Sequence, residues 1–214
     1  MFEKKSEVPS PTRPTVVQRR GKERRRAILD AAAELLGEKG YEAATLKAIG
    51  ERAGIPTASM YHYFPDRHQV DAELLEQHMS ELDALIGAAL ENPRARTLAE
   101  AVDILVDLHL DYFRGHPSCT ELWFAGRHDR LDDMVRAFDE TQAERLWRHL
   151  GERGLVSADT PLLAVVLAFE VGTRLFDSAF RRSPAGDDAT IAEARRLVTA
   201  YLQTYAPEGP GRRG

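Results

Sequence analysis

Apolar residues recur along most of this chain at spacings of three and four, the period of a helix that buries one face. The first such stripe covers residues 23–38. Gly40 follows it, at a place where helix ends favour a residue that accepts positive φ. The sequence holds no clear alternating run of the kind that predicts a β-strand. This pattern predicts an all-α protein.

Two short helices are predicted next, at 46–52 and about 56–64. Thr45 occupies the N-cap position of the first, where a side-chain oxygen can accept a hydrogen bond from a free backbone N–H. A tight turn at Gly54, a residue free to adopt positive φ, separates the two helices. Two short helices joined by a glycine-containing turn form a helix-turn-helix, whose second helix enters the major groove of DNA.

Periodicity divides the second short helix into a buried side and an outward side. Met60 and Phe64, one turn apart, are expected to face the core. The remaining residues of the helix, expected on its outer side and flanks, are Thr57, Ala58, Ser59, Tyr61, His62 and Tyr63. Small side chains at Ala58 and Ser59 permit close approach to bases, and tyrosine hydroxyls suit phosphate oxygens, as does Arg67 in the next helix. The alternatives are aromatic packing of the two tyrosines between helices and a histidine that simply faces solvent.

Further helical segments follow, at about 98–114, 120–125, 131–150, 161–182 and 188–205. Apolar seams run along the last two and suit shallow packing, either against a second copy or within the core. Gly172 would let a neighbour approach closely. The residues of these seams are Leu162, Val165, Phe169, Gly172, Phe176, Ile191, Ala194, Val198 and Tyr201.

Aromatic and isolated polar residues in the same half indicate a small-molecule pocket, since such pockets combine aromatic walls with a few polar groups. The candidate lining residues are His109, Tyr112, Trp123, Phe124, Phe138, Phe169, Glu170 and Arg174. Ordinary core packing is the alternative for the aromatic residues. Glu170 and Arg174, four residues apart, can instead pair with each other.

Charge is divided unevenly along the chain. The formal net charge is −5, yet the first 67 residues carry 13 basic and 9 acidic residues, and all five lysines lie at or before Lys47. This asymmetry indicates a DNA-facing module on an acidic body. The longest apolar stretch, Leu162 to Phe169, is much shorter than the roughly 20 residues that a bilayer requires, and no apolar signal segment follows Met1. A cytoplasmic protein without membrane contact is expected.

Enzyme and metal chemistry find little support in the sequence. A single cysteine, Cys119, allows neither an internal disulfide nor a cysteine zinc cage, and is expected to be a small buried residue. The sequence lacks His-Glu-x-x-His, Gly-x-Ser-x-Gly and a phosphate-binding glycine loop. We therefore expect no enzyme, no metal and no cofactor. A helical adaptor is the other alternative, but it would leave the basic N-terminal module unexplained.

Residues 24–75 resemble the DNA-binding domain of the TetR family of transcriptional regulators. The resemblance rests above all on the runs TLKAIGERAGI at 45–55 and MYHYFPDR at 60–67. The contacts that it implies are Thr45 and Lys47 to the DNA backbone or a groove edge, Thr57, Ala58 and Ser59 to bases, and Tyr61, Tyr63 and Arg67 to phosphates. Arg67 stands where the family usually has lysine, and Pro56 where a serine or similar cap is common.

The resemblance also implies the organisation of the chain. It implies a helix-turn-helix domain at 23–67 with a connecting helix from 66, and a regulatory and dimerisation domain at 68–206. Composition predicts the two ends: a flexible basic arm at 1–22, with three prolines and few apolar residues, and a disordered Gly- and Pro-rich tail at 207–214. TetR-like proteins dimerise through a four-helix bundle built from their last two helices, which favours the dimer reading of the two seams. The expected function is a homodimeric repressor that leaves a palindromic double-stranded DNA operator when a small hydrophobic ligand binds.

Overall fold

The computed structural model describes residues 16–91, 95–125 and 129–207, and within these ranges it contains helices and turns but no strand. The helices are α1 (Val16–Lys39), α2 (Leu46–Arg52), α3 (Thr57–Tyr63), α4 (Arg67–Glu91), α5 (Leu98–Gly115), α6 (Pro117–Thr120), α7 (Asp129–Glu152), α8 (Leu162–Arg182) and α9 (Asp188–Gln203). A π-helical turn, Glu121–Ala125, joins the end of α6. The prediction of an all-α protein is confirmed. None of the described helices is long and apolar enough to cross a membrane.

Helices α1, α2 and α3 pack around one apolar core. Ile28, Ile49, Met60 and Phe64 are fully buried in it. The Thr45 hydroxyl accepts a hydrogen bond of 3.1 Å from the N–H of Ala48, which is the predicted N-cap of α2. The local polar and apolar pattern of this segment therefore folds into the predicted helix-turn-helix.

The first helix starts earlier than predicted, at Val16 instead of residue 23. Residues 16–22 are therefore helical, and the prediction of a flexible arm is wrong for this part. After Pro14 no proline interrupts the chain, Gly21 alone costs a helix about 1 kcal/mol, and Arg19 pairs with Glu23 one turn on at 3.4 Å. The rest of the predicted arm, and residues 208–214 of the predicted tail, lie outside the described residues.

Helix α4 connects the first three helices to the remainder of the chain. The Asp66 carboxylate accepts a hydrogen bond of 3.0 Å from the N–H of Gln69 at its start. Arg25 of α1 binds Glu73 of α4 at 2.8 Å and the carbonyl oxygen of Tyr63 at the end of α3, also at 2.8 Å. One arginine thus ties α1, α3 and α4 together.

The second half of the chain forms a helical body around α5, α7, α8 and α9. Arg195 of α9 pairs with Asp103 of α5 at 3.3 Å, and Arg145 of α7 pairs with Asp83 of α4 at 3.0 Å. The π-helical turn packs between this body and α4. Its position brings the body close to the helix-turn-helix.

Candidate DNA interface and ligand cavity

Helix α3 presents a polar row to solvent. Thr57, Ala58 and His62 are exposed, and Tyr61 is 57% exposed. The opposite side of α3 packs against the core through the buried side chain of Met60, as the periodicity predicts. Most of the outward side chains are therefore available to a large partner.

The remaining residues predicted on α3 are less open. Ser59 and Tyr63 are half-buried, and Tyr63 packs against the apolar core. The helix begins at Thr57 because Pro56 occupies the N-cap position with an extended ψ of 137°, and its carbonyl accepts from the N–H groups of Ser59 and Met60. Pro56 has no side chain that can cap α3, whereas the Thr45 hydroxyl caps α2.

Helix α2 places two further predicted residues at the surface. Thr45 and Lys47 are exposed. The Lys47 ammonium lies 3.8 Å from the carboxylate of Glu51, one turn along the same helix. An exposed pair of this kind contributes little to stability, so Lys47 can turn to another anion at small cost.

Arg67 is half-buried and is bound within the protein, while its predicted phosphate contact stays a prediction. Its guanidinium lies 3.7 Å above the centre of the Tyr41 ring, donates to the Tyr41 carbonyl at 2.5 Å and pairs with Asp71 at 3.3 Å. The Asp71 carboxylate is 1% exposed and also accepts a hydrogen bond of 3.0 Å from the Tyr41 hydroxyl. Asp71 lies one turn along α4 and draws the arginine inward. Arg67 therefore fastens α4 to the loop between α1 and α2.

A cavity of about 80 Å³ lies between α5, α7, α8, α9 and the π-helical turn. Four of the predicted ligand-binding residues line it: His109, Trp123, Phe124 and Phe169. The volume is several times what one water molecule requires. The wall is mainly apolar and aromatic, as the sequence predicts for a small-molecule site.

The other four predicted residues do not line this cavity. Tyr112 points toward α4, and Phe138 stands behind Trp123, with the two ring centres 5.5 Å apart and the rings perpendicular. Glu170 and Arg174 lie in a separate groove of about 320 Å³ between α7 and α8. Arg174 donates to Asp177 at 2.6 Å, so the suggested pairing with Glu170 is also wrong.

Phe113 is a lining residue that the sequence reasoning missed. It follows His109 by one helical turn, whereas Tyr112 follows by three residues, and the two differ by about 100° around α5. Strict four-residue spacing from His109 would have selected Phe113. Asp139 and Thr173, which line both the cavity and the groove, were missed as well, because they are polar residues on stripes chosen for their apolar character.

Three lining residues are polar and hydrogen-bonded within the protein: His109, Thr173 and Asp139. The Nδ1 atom of His109 lies 2.6 Å from the carbonyl oxygen of Leu105, and burial lowers the pKa of this imidazole. The Thr173 hydroxyl donates to the Asp139 carboxylate at 3.2 Å. The cavity therefore has a neutral histidine on one side and an acidic group where it meets the groove.

A buried polar network lies beside the cavity, between α4, α5 and α6. Tyr112 donates to Glu81 at 2.9 Å, while His78 binds the Tyr112 hydroxyl at 2.9 Å and the Ser118 hydroxyl at 3.0 Å. Since the tyrosine proton goes to the carboxylate, His78 Nδ1–H donates to the tyrosine oxygen and Nε2 accepts from the serine. Burial lowers the pKa of His78 to about 4, with help from the nearby His116. Both ring nitrogens of the neutral His78 are therefore hydrogen-bonded.

The π-helical turn touches both the cavity and the helix-turn-helix. Its residues Trp123 and Phe124 form part of the cavity wall. Its first residue, Glu121, accepts a hydrogen bond of 2.9 Å from the backbone N–H of Tyr41. One short turn thus contacts the cavity and the loop that leads into α2.

The predicted dimer seams face inward for the most part. Val165, Phe176, Ile191 and Ala194 are buried within the protomer, and Phe169, Gly172, Phe176 and Val198 line the cavity. A side chain buried in one protomer has no surface to offer a partner, so the assignments of Val165, Phe176, Ile191 and Ala194 are corrected. Phe169, Gly172 and Val198 are half-buried, and their place in a dimer interface stays a prediction. Leu162 alone of the predicted set is exposed, while Tyr201 is half-buried. The exposed large apolar residues of α8 and α9 are Leu162, Leu163, Leu167, Val171 and Leu197. We call this set the outer apolar face.

Comparisons with known proteins match both halves of the chain. Residues 28–74 match the family described as bacterial regulatory proteins, tetR family, and residues 97–202 match the tetracyclin repressor-like C-terminal domain. The HTH-type transcriptional repressor KstR of Rhodococcus jostii is 30% identical over 176 residues, which is 80% of each chain. The HTH-type transcriptional regulator BetI of Rhizobium meliloti is 28% identical and aligns over 84% of this chain and 90% of its own.

Solved structures show the same architecture. A TetR-family transcriptional regulator from Streptomyces coelicolor is 30% identical, with a TM-score of 0.64, over 85% of this chain and 99% of its own. The fatty acid degradation regulator FadR from Bacillus halodurans has a TM-score of 0.68 at 18% identity, over 89% of this chain and 97% of its own. At that identity the second likeness concerns the fold alone.

Proposed function

We propose that this chain, which belongs to the TetR family of transcriptional regulators, binds a palindromic DNA operator as a homodimer. In this proposal the protein leaves the operator when a small hydrophobic ligand enters the cavity. The proposed division of labour is a DNA-binding unit at 23–67, a connecting helix from 66, and a regulatory and dimerisation unit at 68–206. The family and relatives are regulators and not enzymes. Since the proposed target is DNA and the relatives are bacterial regulators, the proposed compartment is the cytoplasm.

The observation that carries the proposal is the exposed row of α3 above its buried Met60. Small side chains at Thr57, Ala58 and Ser59 suit close approach to base edges in a major groove about 12 Å wide. Tyr61 is proposed to contact phosphates, which fix the register of the protein without carrying sequence information. Thr45 and Lys47 are proposed to approach the DNA backbone or a groove edge. His62 and the half-buried Tyr63 complete the proposed surface. Arg67 contributes by holding α4 to the α1–α2 loop.

The outer apolar face supports the proposed dimer. Leu163 is 62% exposed, and Leu167 and Val171 lie on the same side of α8, four residues apart. Leu197 adds an exposed apolar group on α9. In a dimer, helices α8 and α9 of two copies would bury these residues against each other. The two-fold axis of such a dimer would also relate the two recognition helices, as paired DNA half-sites require.

Release of DNA is proposed to start at the cavity wall. A ligand shifts a protein between conformations only if it binds one of them more tightly. Trp123 and Phe124 touch the cavity, and Glu121 of the same turn binds Tyr41 beside the helix-turn-helix. A ligand that displaces this turn would therefore change the spacing of the two recognition helices.

Selection of bound sites from random double-stranded DNA tests this function. A symmetric consensus is expected, with half-sites about 34–36 Å apart or a multiple of that spacing. Binding should weaken steeply with salt, because phosphate contacts release counterions. A protein that selects no sequence at physiological salt would rule out the proposed operator binding. Selection of an asymmetric site would rule out the symmetric dimer on DNA.

A further inference from the structure

We propose that the cavity takes an uncharged ligand with one aromatic ring and a hydroxyl group, a phenol in chemical class, whose O–H donates a hydrogen bond to Nε2 of His109. This inference rests on the proposed function, in which the cavity is the regulatory ligand site. It adds the chemical class of the ligand and the residue that selects it. The reasons are one imidazole nitrogen, the aromatic wall around it and the charges of the lining.

The imidazole of His109 has a nitrogen that can accept a hydrogen bond. Its Nδ1 lies 2.6 Å from the Leu105 carbonyl oxygen, which can only accept, so Nδ1 carries the proton. Burial lowers the pKa of this imidazole, which keeps the ring neutral and leaves a lone pair on Nε2. No described residue donates a hydrogen bond to Nε2. A ligand that binds this atom therefore has to be the donor.

The hydrogen bond to Leu105 also determines where Nε2 points. Leu105 precedes His109 by one turn of α5, so Nδ1 is turned back toward the backbone of its own helix. The Nε2 lone pair lies on the far side of the ring and points away from α5. His109 lines the cavity there, with the ring centres of Phe169 and Phe176 of α8 at 6.1 and 6.4 Å. The acceptor is thus directed from α5 into the cavity.

The wall around this acceptor suits one aromatic ring. Phe169 and Phe176 both meet His109 nearly edge to face, and Phe113 and Trp123 form a further pair whose ring centres are 5.5 Å apart. Edge and face contacts of this kind attract another aromatic ring. The volume of about 80 Å³ favours one ring over a fused system.

The lining does not compensate a full charge on a ligand. It contains neither lysine nor arginine, and the indole N–H of Trp123 is a neutral donor that does not offset a carboxylate. Its acidic residue, Asp139, is already engaged within the protein and accepts a hydrogen bond of 3.2 Å from Thr173. Since Thr173 gives its proton to Asp139, the Thr173 oxygen also can only accept. An uncharged donor therefore suits this wall better than either an ammonium or a carboxylate group.

Four compounds that share a methyl-substituted benzene ring test the inference by calorimetry on the full-length protein. They are 4-methylphenol, 1,4-dimethylbenzene, 4-methylbenzylamine and 4-methylbenzoate. The phenol is expected to bind about tenfold more tightly than dimethylbenzene, which has a methyl group in place of the hydroxyl and leaves Nε2 without a donor. The amine and the benzoate are expected to bind more weakly than the phenol, because each buries a charge. A charged compound that matched the phenol, or no binding by any of the four, would overturn the proposed ligand class.

A variant assigns the preference to His109. His109→Phe keeps an aromatic ring but removes the acceptor, so the affinity ratio of the phenol to dimethylbenzene is expected to fall about tenfold. This ratio cancels the different hydration of the two ligands and any general change in the cavity. His149→Phe, the same change at a half-buried histidine of α7 outside the cavity lining, is the matched control and should leave the ratio unchanged. An unchanged ratio in His109→Phe would show that His109 does not select the ligand.

NMR of the histidine ring nitrogens tests the same contact in the wild-type protein, whether or not the variant folds. The signal of one unprotonated Nε2 is expected to shift when 4-methylphenol is added and to stay in place with 1,4-dimethylbenzene. Nε2 of His78 already accepts from Ser118 and serves as the internal reference. If no histidine nitrogen responded to the phenol, the proposed hydrogen bond would be wrong.

Operator binding is measured separately with and without 4-methylphenol. If the phenol binds with the expected preference but leaves the operator affinity unchanged, the proposed release mechanism fails while the ligand class stands. If the phenol shows no preference over the charged compounds while the protein still selects a palindrome, the ligand class fails and the DNA-binding function stands. The two proposals are thereby distinguished.

Discussion

The Glu121 carboxylate accepts a hydrogen bond of 2.9 Å from the backbone N–H of Tyr41. Glu121 opens the turn that brings Trp123 and Phe124 to the cavity, and the Tyr41 ring lies beneath the guanidinium of Arg67 at 3.7 Å. A chain of direct contacts therefore runs from the cavity wall, through the α1–α2 loop, to the start of α4.

Glu121→Ala should loosen the α1–α2 loop. The Tyr41 N–H loses a charged acceptor, and a hydrogen bond to a charged group stabilises by about 1.5–3 kcal/mol. Hydrogen exchange of the peptide around residue 41 should become faster. Glu121→Gln retains an oxygen acceptor and should lie between wild type and alanine, whereas Glu193→Ala, which breaks an exposed pair with Arg196, should leave this exchange unchanged. Equal exchange in the Glu121 variants and wild type would show that the contact does not order the loop.

Arg67→Ala should lower stability first and DNA affinity second. The change removes the ion pair with Asp71, the contact with the Tyr41 ring and the hydrogen bond to the Tyr41 carbonyl. The hydrogen bond from a charged group alone stabilises by about 1.5–3 kcal/mol. Thermal unfolding should therefore shift to a clearly lower temperature. Tyr61→Phe, which alters an exposed residue, should unfold like wild type yet bind all DNA sequences more weakly. If Arg67→Ala unfolded at the same temperature as wild type, the stabilising role of Arg67 would be wrong, and the predicted phosphate contact would be its remaining role.

Contacts on α2 and α3 should separate by role. Lys47→Ala should weaken binding to every sequence and reduce the salt slope by about one, as expected for one lost phosphate contact. Thr57→Val and Ser59→Ala should instead change which bases are selected, because the proposed docking puts these residues over base edges. Competition between selected and random DNA at several salt concentrations measures both effects. A changed consensus for Lys47→Ala would contradict the proposed docking.

Leu163→Glu should convert dimers into folded monomers. The leucine is exposed in the protomer, so the charge costs little until a partner buries it without a counter-ion. Sedimentation velocity should show the monomer, and operator affinity should fall. Leu85→Glu alters another exposed leucine, on α4 and outside the outer apolar face, and serves as the matched control. Dimers that persist in Leu163→Glu and Leu167→Glu would place the interface elsewhere.

Acidification should destabilise the protein partly through His78. Burial lowers its folded-state pKa to about 4, against 6.5 for an unperturbed histidine. Well above pH 6.5 both states are neutral and the group contributes nothing to the pH dependence. Between pH 6.5 and 4 the unfolded chain takes up a proton that the folded one refuses, so stability falls by up to about 3 kcal/mol. Urea unfolding of wild type and His78→Gln at pH 7.5 and pH 5 should show a smaller loss in the variant.

Local signals made the helix-turn-helix predictable. The bounds of α2 follow from the Thr45 cap and the turn at Gly54, and Met60 and Phe64 take their predicted buried places. The ligand site was harder, because periodicity shows which residues share a face and not what that face meets. This is why Val165 and Phe176 were assigned to a partner instead of the protomer's own core and cavity. The contacts of Arg67 within the protein could not be predicted for a similar reason, since its partner Tyr41 lies 26 residues earlier in the chain.

Helix α8 has two apolar sides, one lining the cavity with Phe169 and Phe176 and the other presenting Leu163 and Leu167 outward. A mutation on α8 therefore risks altering ligand choice and subunit assembly together. Helices α5 and α7 contribute His109 and Asp139 to the cavity without contributing to the outer apolar face. Diversification toward new effectors should thus accumulate on α5 and α7, while α8 changes slowly because two selective pressures act on the same helix.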